Sequence, residues 1–322
     1  MARAAEKRFE GALDGSGAGP RPRIITAARI SARIRKITAV ARLAVIAAFY
    51  ATRAGFNRML RYMKRHLLAL SAILLTASAA SATTLTGTFD RTFDVRPGTL
   101  FALDNTNGHI TIRSWDQSRV QVHATRKVES RDPDAARRAF DALKIEPSVT
   151  ADAVRINTNY PRQSQGVFDW IAGTSVSMNV EYEVSVPRTM NLEIDNTNGA
   201  IDIREVRGSH RVTTTNGHIE IVRCAGDVEA ETTNGHIRAE LSEVTPGKSV
   251  RLETTNGSIT VELPKTIATR VDASTTNGSV KTDLPVTTTE FKRNTLRGTI
   301  NGGSSAELKL RTTNGSINIE AR

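Results

Sequence analysis

The 322-residue chain holds one cysteine, Cys224, which excludes an internal disulfide and any cysteine-built zinc site within one chain. Aromatic residues make up only 5% of the chain, and Phe291 is the only one beyond Tyr182. The C-terminal half therefore has no set of rings on which a sugar or base could stack. The apolar run Leu67–Leu75 falls short of the ~20 residues that span a bilayer as a helix. Net positive charge is also missing from the body of the chain. The formal charge is +11, but residues 1–62 hold 13 basic and 3 acidic residues, whereas residues 83–322 hold 29 and 30. A phosphate-tracking surface loses its compositional support, and no nucleic-acid partner is expected.

What is present begins with a leader. Met63–Ala82 reads MKRHLLALSAILLTASAASA: a positive start at Lys64 and Arg65, a short apolar stretch, and a small-x-small site at Ala80-Ser81-Ala82. That order marks a secretory signal cleaved between Ala82 and Thr83. It places the mature chain in the periplasm, at the outer surface or outside the cell, with no transmembrane span. Residues 1–62 sit upstream of a signal that normally opens a chain, so a misassigned start at Met59 or Met63 is the preferred account. The alternative is a basic amphipathic helix over Ile24–Tyr50 at a membrane surface.

The mature chain repeats itself. NTNGHI begins at Asn105, NTNGAI at Asn196, TTNGHI at Thr214 and Thr232, TTNGSI at Thr254 and Thr312, and TTNGSV at Thr275. From Asn198 the steps to Asn216, Asn234, Asn256 and Asn277 are 18, 18, 22 and 21 residues, and a degraded copy surrounds Arg297. Apolar residues alternate with charged ones on both sides of each Asn-Gly, as in Leu192 and Ile194 before Asn198 and Ile201 and Ile203 after it. Period-two alternation predicts half-buried strands flanking a sharp corner.

Two architectures fit that pattern. Asn-Gly is a strong hairpin signal, which allows a meander. The preferred expectation is an all-β solenoid, a single-stranded parallel β-helix with coils of 17–22 residues. Stacked coils would let the Thr and Asn side chains form hydrogen-bond ladders, which separate hairpin tips would not. The lack of rings also suits a thin interior lined by Ile, Val, Leu and Ala. Residues 83–190 differ, holding nearly all the aromatics of the mature chain. Asp132-Pro133 and the spacing in AARRAFDALK predict one helix near 133–143, between strands near 119–129 and 152–158, with another at 176–186. The expected organisation is a basic leader (1–62), a signal (63–82), an aromatic-containing β cap (83–190) and the Asn-Gly repeat (191–322).

With the stretch NGHITIRSWDQSRVQVHATRKVES from Asn107 and the closing LKLRTTNGSINIEAR from Leu308, the repeated [TN]-x-N-G-x-[IV] corners resemble the bacterial "putative adhesin" family, exported proteins of unknown function. That resemblance implies a β-solenoid with an extracytoplasmic binding or structural role. It brings no catalytic residues.

Catalytic motifs are sparse. Pro246-Gly247-Lys248-Ser249 is similar to the end of a phosphate-binding loop, but Ser242 stands where the first Gly is required, so a turn is expected. His109, His218 and His236 each follow an Asn-Gly pair; with no third ligand in phase, an exposed polar column is expected rather than a metal site. No cofactor is expected. Asn256-Gly257-Ser258 and its two counterparts match the glycosylation sequon only because the corner repeats. Tyr160 precedes the loop PRQSQGVFDWIAG and Phe168 and Trp170 lie within it; Phe168 and Trp170 either fill the cap's core or join Tyr160 in a binding platform.

The residues therefore point to a non-enzymatic module that presents a repetitive face to an unidentified envelope, glycan or protein ligand. Its scaffold residues are Asn107-Gly108, Asn198-Gly199, Asn216-Gly217, Asn234-Gly235, Asn256-Gly257, Asn277-Gly278 and Asn314-Gly315, and its candidate binding loop carries Tyr160, Phe168 and Trp170. The alternatives are a polysaccharide-active enzyme on a parallel β-helix and a regulatory partner of an envelope-stress system.

Overall fold

The computed structural model describes residues 82–161, 176–243, 247–303 and 306–322, all within a compact unit that runs from Ala80 to Arg322. The leader, the signal up to Ser81, Phe168 and Trp170 lie outside the described residues. Ala82 is exposed and Thr83 opens the first strand.

The chain starts with β1 (Thr83–Asp94), β2 (Leu100–Asn107), β3 (Ile110–Trp115) and β4 (Arg119–Ser130), followed by α1 (Pro133–Ala142), β5 (Lys144–Val149), β6 (Ala153–Asn159) and β7 (Val176–Pro187). Five strand pairs joined by Asn-Gly come next. They are β8 (Asn191–Asn198) with β9 (Ile201–Arg204), β10 (His210–Asn216) with β11 (Ile219–Ala225), and β12 (Val228–Asn234) with β13 (Ile237–Glu243). Then come β14 (Ser249–Asn256) with β15 (Ile259–Leu263) and β16 (Thr269–Asn277) with β17 (Val280–Thr282). A hairpin of β18 (Val286–Lys292) and β19 (Thr295–Ile300) precedes the last pair, β20 (Glu307–Asn314) with β21 (Ile317–Ala321).

Two mixed sheets result. One runs β1-β4-β7-β3-β9-β11-β13-β15-β21-β17 and the other β18-β19-β16-β20-β14-β12-β10-β8-β2-β6-β5. At each Asn-Gly the chain leaves the second sheet and enters the first, so these corners are not hairpin turns. Neighbouring pairs lie parallel and in register: Val212 beside Ile194 and Ala230, Ile221 beside Ile203 and Ala239. The alternation of the sequence sends those side chains inward and leaves the charged residues between them outside. Burying each Ile, Val or Leu in such a row contributes ~1.5–3 kcal/mol, and the core runs unbroken from Phe101 to Ile319.

This corrects the single-stranded parallel β-helix expected from the repeat. Antiparallel strands flank the parallel region at both ends: β1 on β4 on β7, β5 on β6, and β18 on β19 on β16. Spatial order also departs from chain order, because β20 and β21 lie between the β14–β15 and β16–β17 pairs. The physical reason lies in the degraded copy. Around Arg297 there is no Asn-Gly corner; Leu296 and Ile300 are buried on one strand, β19, which returns along β16 as a hairpin arm. The last pair then takes the place beside β14, where Leu308, Leu310 and Thr312 meet Val250, Leu252 and Thr254.

The helix packs where the chain crosses the first sheet. Asp132 caps it, its side chain accepting from the Asp134 N–H at 3.0 Å, and Pro133 stands in the first turn with no N–H to leave unpaired. Ala136 is buried, and the Phe140 ring lies 4.8 Å from the Arg126 guanidinium.

Candidate binding ridge and end cleft

The seven corner asparagines stand in one column. Asn198 Nδ2 donates to Asn107 Oδ1 at 2.8 Å, Asn216 to Asn198 at 2.8 Å, Asn234 to Asn216 at 2.9 Å, and Asn256 to Asn234 at 2.9 Å. Asn314 then donates to Asn256 and Asn277 to Asn314, each at 2.8 Å. The column follows the spatial order of the strands and not their chain order. All its side-chain bonds point one way, while the backbone bonds run back, as from Gly217 N to Asn234 O at 3.1 Å.

A second, buried ladder lies two residues before it. Thr232 Oγ1 donates to Gly217 O at 3.0 Å, Thr254 to Gly235 O at 2.9 Å, Thr312 to Gly257 O at 2.9 Å and Thr275 to Gly315 O at 2.8 Å. In the first pairs an asparagine replaces threonine: Asn196 Nδ2 reaches Gly108 O at 2.9 Å and Asn105 Nδ2 reaches Val180 O at 3.2 Å. The glycines are required by this closeness. A Cβ on Gly199, Gly217, Gly235, Gly257, Gly278 or Gly315 would lie 1.9–2.1 Å from the glycine carbonyl oxygen of the adjoining corner, and one on Gly108 would lie 2.0 Å from Val180 O.

What remains outside is a ridge. Thr197, Thr215, Thr233, Thr255, Thr313 and Thr276 are exposed beside the asparagines, one strand spacing of ~4.8 Å apart. Next to it the outer face of the second sheet carries ion pairs, both between strands and along them. Arg211 meets Glu229 at 2.8 Å, Arg251 meets Glu253 at 2.9 Å, and Arg297 meets Asp272 at 3.3 Å. Asp104 and Asp195 are register neighbours, and burial together with the Asp195 charge raises the Asp104 pKa.

The ridge ends in a cleft of about 930 Å³ beside Asn107, Gly108 and Asn198, with Lys127, Met178 and Asn179 on its far wall. Tyr160 lines this cleft, but its hydroxyl is engaged: it donates to Asn107 O at 2.8 Å and lies 3.0 Å from Asn105 Oδ1. Burial pushes its pKa up to about 12, against the opposing pull of the Asn107 bond.

The remaining sequence candidates fall as follows. His218 and His236 are exposed on neighbouring corners, Ala200 separates them from His109, and His109 Nε2 meets Asp202 at 2.9 Å. Among the described residues no group of three His, Cys, Asp or Glu side chains is placed to hold a metal. Lys248 and Ser249 bind the Asp227 carboxylate, through Nζ at 2.8 Å and the backbone N–H at 2.9 Å, so an acid fills the place a phosphate would take. Cys224 is buried, and burial pushes its thiol up to about 11.

His210 is a residue that sequence reasoning missed. It occupies an inward position between Leu192 and Val228, is 1% exposed, and bonds through Nε2 to Val206 O at 3.2 Å, while Nδ1 is buried without a partner. Burial lowers its pKa to about 4 despite the Val206 bond. Its phase was legible: six residues before Asn216, where the other copies carry Leu, Val or Phe.

Comparison with known proteins adds a likeness over part of the chain. The Toastrack DUF4097 family model matches residues 170–320. That match replaces the β-solenoid implied by the resemblance to exported Asn-Gly repeat proteins, and it agrees with two mixed sheets of stacked strands. Solved structures that the chain matches include a putative cell adhesion protein from Clostridium sporogenes, 15% identical, covering 73% of this chain and 100% of its own, at a TM-score of 0.40. A putative adhesin from Bacteroides fragilis, 13% identical, covers 73% and 97% at 0.26. A putative lipid binding protein from Parabacteroides distasonis, also 13% identical, covers 72% and 96% at 0.21. At these scores the likenesses carry no functional conclusion. No curated protein matches the chain. Among the described residues no helix is long and apolar enough to cross a membrane.

Proposed function

We propose that the chain is an exported, non-enzymatic binding module that presents its Thr/Asn ridge to an envelope or extracellular partner. The observation that carries this reading is the ridge itself: six exposed threonines beside an unbroken asparagine ladder, held at one repeat by glycines that admit no side chain. A surface of that regularity suits a partner that also repeats, such as a polysaccharide. Export follows from the Met63–Ala82 signal.

The test is a binding screen of the purified chain on glycans and envelope fractions, with product release assayed in the same wells. Saturable binding without product is expected. Replacing Thr215, Thr233 and Thr255 together by Val should weaken it at least tenfold while the melting temperature stays within a few degrees, because these side chains are exposed. Product formation would overturn the non-enzymatic reading and direct attention to the Asp104–Asp195 pair. Binding to a membrane-protein ectodomain in place of glycan would favour a regulatory role.

A further inference from the structure

The four sheet edges are not equally guarded. On β5, Pro147 stands where a neighbouring strand would look for an N–H, a common block on edge pairing. The edge strand β17 is three residues long. The first sheet's other edge, β1, turns Phe89 and Phe93 against the core and carries Asp90, Arg91 and Asp94. On β18 a register irregularity between Thr288 and Glu290 blunts only the first half. The second half, Glu290-Phe291-Lys292, is extended, ends the second sheet and shows Phe291 at 64% exposure.

We propose that this half-strand is a self-association edge that pairs antiparallel, about a two-fold axis at Phe291, with the same segment of a second copy of the chain. Three features argue for a second copy as the occupant. First, Lys292 and Thr295 flank the two-residue turn Arg293-Asn294, the position at which antiparallel strands exchange both backbone bonds. Alternation then turns the Phe291 N–H and C=O toward the open edge, and two such residues satisfy each other. Second, Glu290 and Lys292 lie on the outer face, 2.7 Å apart, with Arg297 at 2.8 Å from Glu290. About an axis at Phe291, Glu290 faces the partner's Lys292 and Lys292 faces the partner's Glu290, so the charges are self-complementary. Third, the same axis sets the two Phe291 rings side by side on the opposite face and covers them. The contact is small, so the association is weak and concentration-dependent.

Cross-linking of the full chain tests this directly. Cys224 is buried, so the thiol of Phe291→Cys is the accessible one, and residues paired about the axis bring their Cα atoms ~5.5 Å apart, within disulfide reach. Mild oxidation should convert Phe291→Cys to a covalent dimer. Val149→Cys, at the other exposed apolar position (54%) on β5, should stay monomeric. In sedimentation, the wild-type mass should rise with concentration, and Lys292→Glu and Glu290→Lys should each weaken association about tenfold through like-charge contacts. An equimolar mixture of those two variants restores both charge pairs and should associate again. Equal cross-linking at positions 149 and 291, a monomer at every concentration, or no recovery in the mixture would overturn the proposal.

Discussion

Between Asn198 and Asn256 the chain alternates between two kinds of corner, and they behave differently. Every Asn-Gly corner carries the same three bonds to its neighbour: asparagine to asparagine, threonine or asparagine to glycine carbonyl, and glycine N–H to asparagine carbonyl. The return corners share no such set. The first two are tight, with Glu205 and Arg223 in left-handed backbone and paired at 2.5 Å, and a Cβ on Gly226 would lie 2.1 Å from Gly208 O. At the third, no atom of the described residues beyond its chain neighbours lies within 4 Å of a Cβ on Gly247, and the Asp227 carboxylate ties Lys248 and Ser249 to the neighbouring pair. This is also where the repeat lengthens from 18 to 22 residues. Extra residues are accepted where no ladder passes through the corner.

The strongest test of that contrast sets one glycine of each kind against the other. In Gly235→Ala the new Cβ would meet Gly217 O at 1.9 Å, backbone that cannot yield without pulling the ladder apart. The expected loss is on the order of 3–5 kcal/mol, read from urea or thermal unfolding. For Gly247→Ala the described residues leave room for the Cβ, and the left-handed backbone (φ +80) opposes it; the loss should be about 1 kcal/mol. Equal losses would mean that the Asn-Gly corners are not the rigid side of the stack.

His210 sharpens the comparison from inside. It enters its strand from the first of these return corners, held by the Val206 carbonyl of that corner, and its row is otherwise apolar. With the folded-state pKa lowered to about 4 against ~6.5 unfolded, the unfolded chain takes up the proton first as pH falls. Stability is then full above about pH 6.5 and declines toward pH 4, by on the order of 3 kcal/mol. His210→Leu should flatten that decline and match the stability of the wild type or exceed it at neutral pH, because it fills the row and removes the unpaired Nδ1. An identical pH dependence in wild type and variant would exclude His210 as its source.

The strands were legible because alternation around each Asn-Gly states which side of every residue is inward, and the helix because Asp132-Pro133 and the spacing after it are local signals. The stacking order was not legible, for a physical reason. Leu308, Leu310 and Thr312 fit beside Val250, Leu252 and Thr254 and equally beside Val271, Ala273 and Thr275, so the repeat that makes the strands recognisable makes their neighbours interchangeable. Arg297 was the visible departure, yet the absence of a corner does not say that the strand reverses. At the candidate site, the corner residues could be named from their spacing. The end cleft could not, since it joins Asn107, Lys127 and Asn179 from separate strands. His210 was hidden by residue type, standing in a phase that elsewhere holds only apolar side chains.

The smallest expected effect distinguishes the middle of the asparagine ladder from its end. Asn256 both donates to Asn234 and accepts from Asn314, whereas Asn277 only donates, to Asn314. These bonds are exposed, so each exchanges against water and contributes at the low end of the ~0.5–1.5 kcal/mol range for a net hydrogen bond. Asn256→Ala should therefore lower stability by about 1 kcal/mol and Asn277→Ala by about half as much, while Thr232→Val, which removes one buried bond to Gly217 O, should cost about 1 kcal/mol or slightly more. Unfolding curves of the three variants, measured in one buffer, rank them. An Asn256→Ala loss no larger than that of Asn277→Ala would show that the asparagine bonds do not act as a continuous column, and that the buried threonine and glycine contacts hold the corners without them.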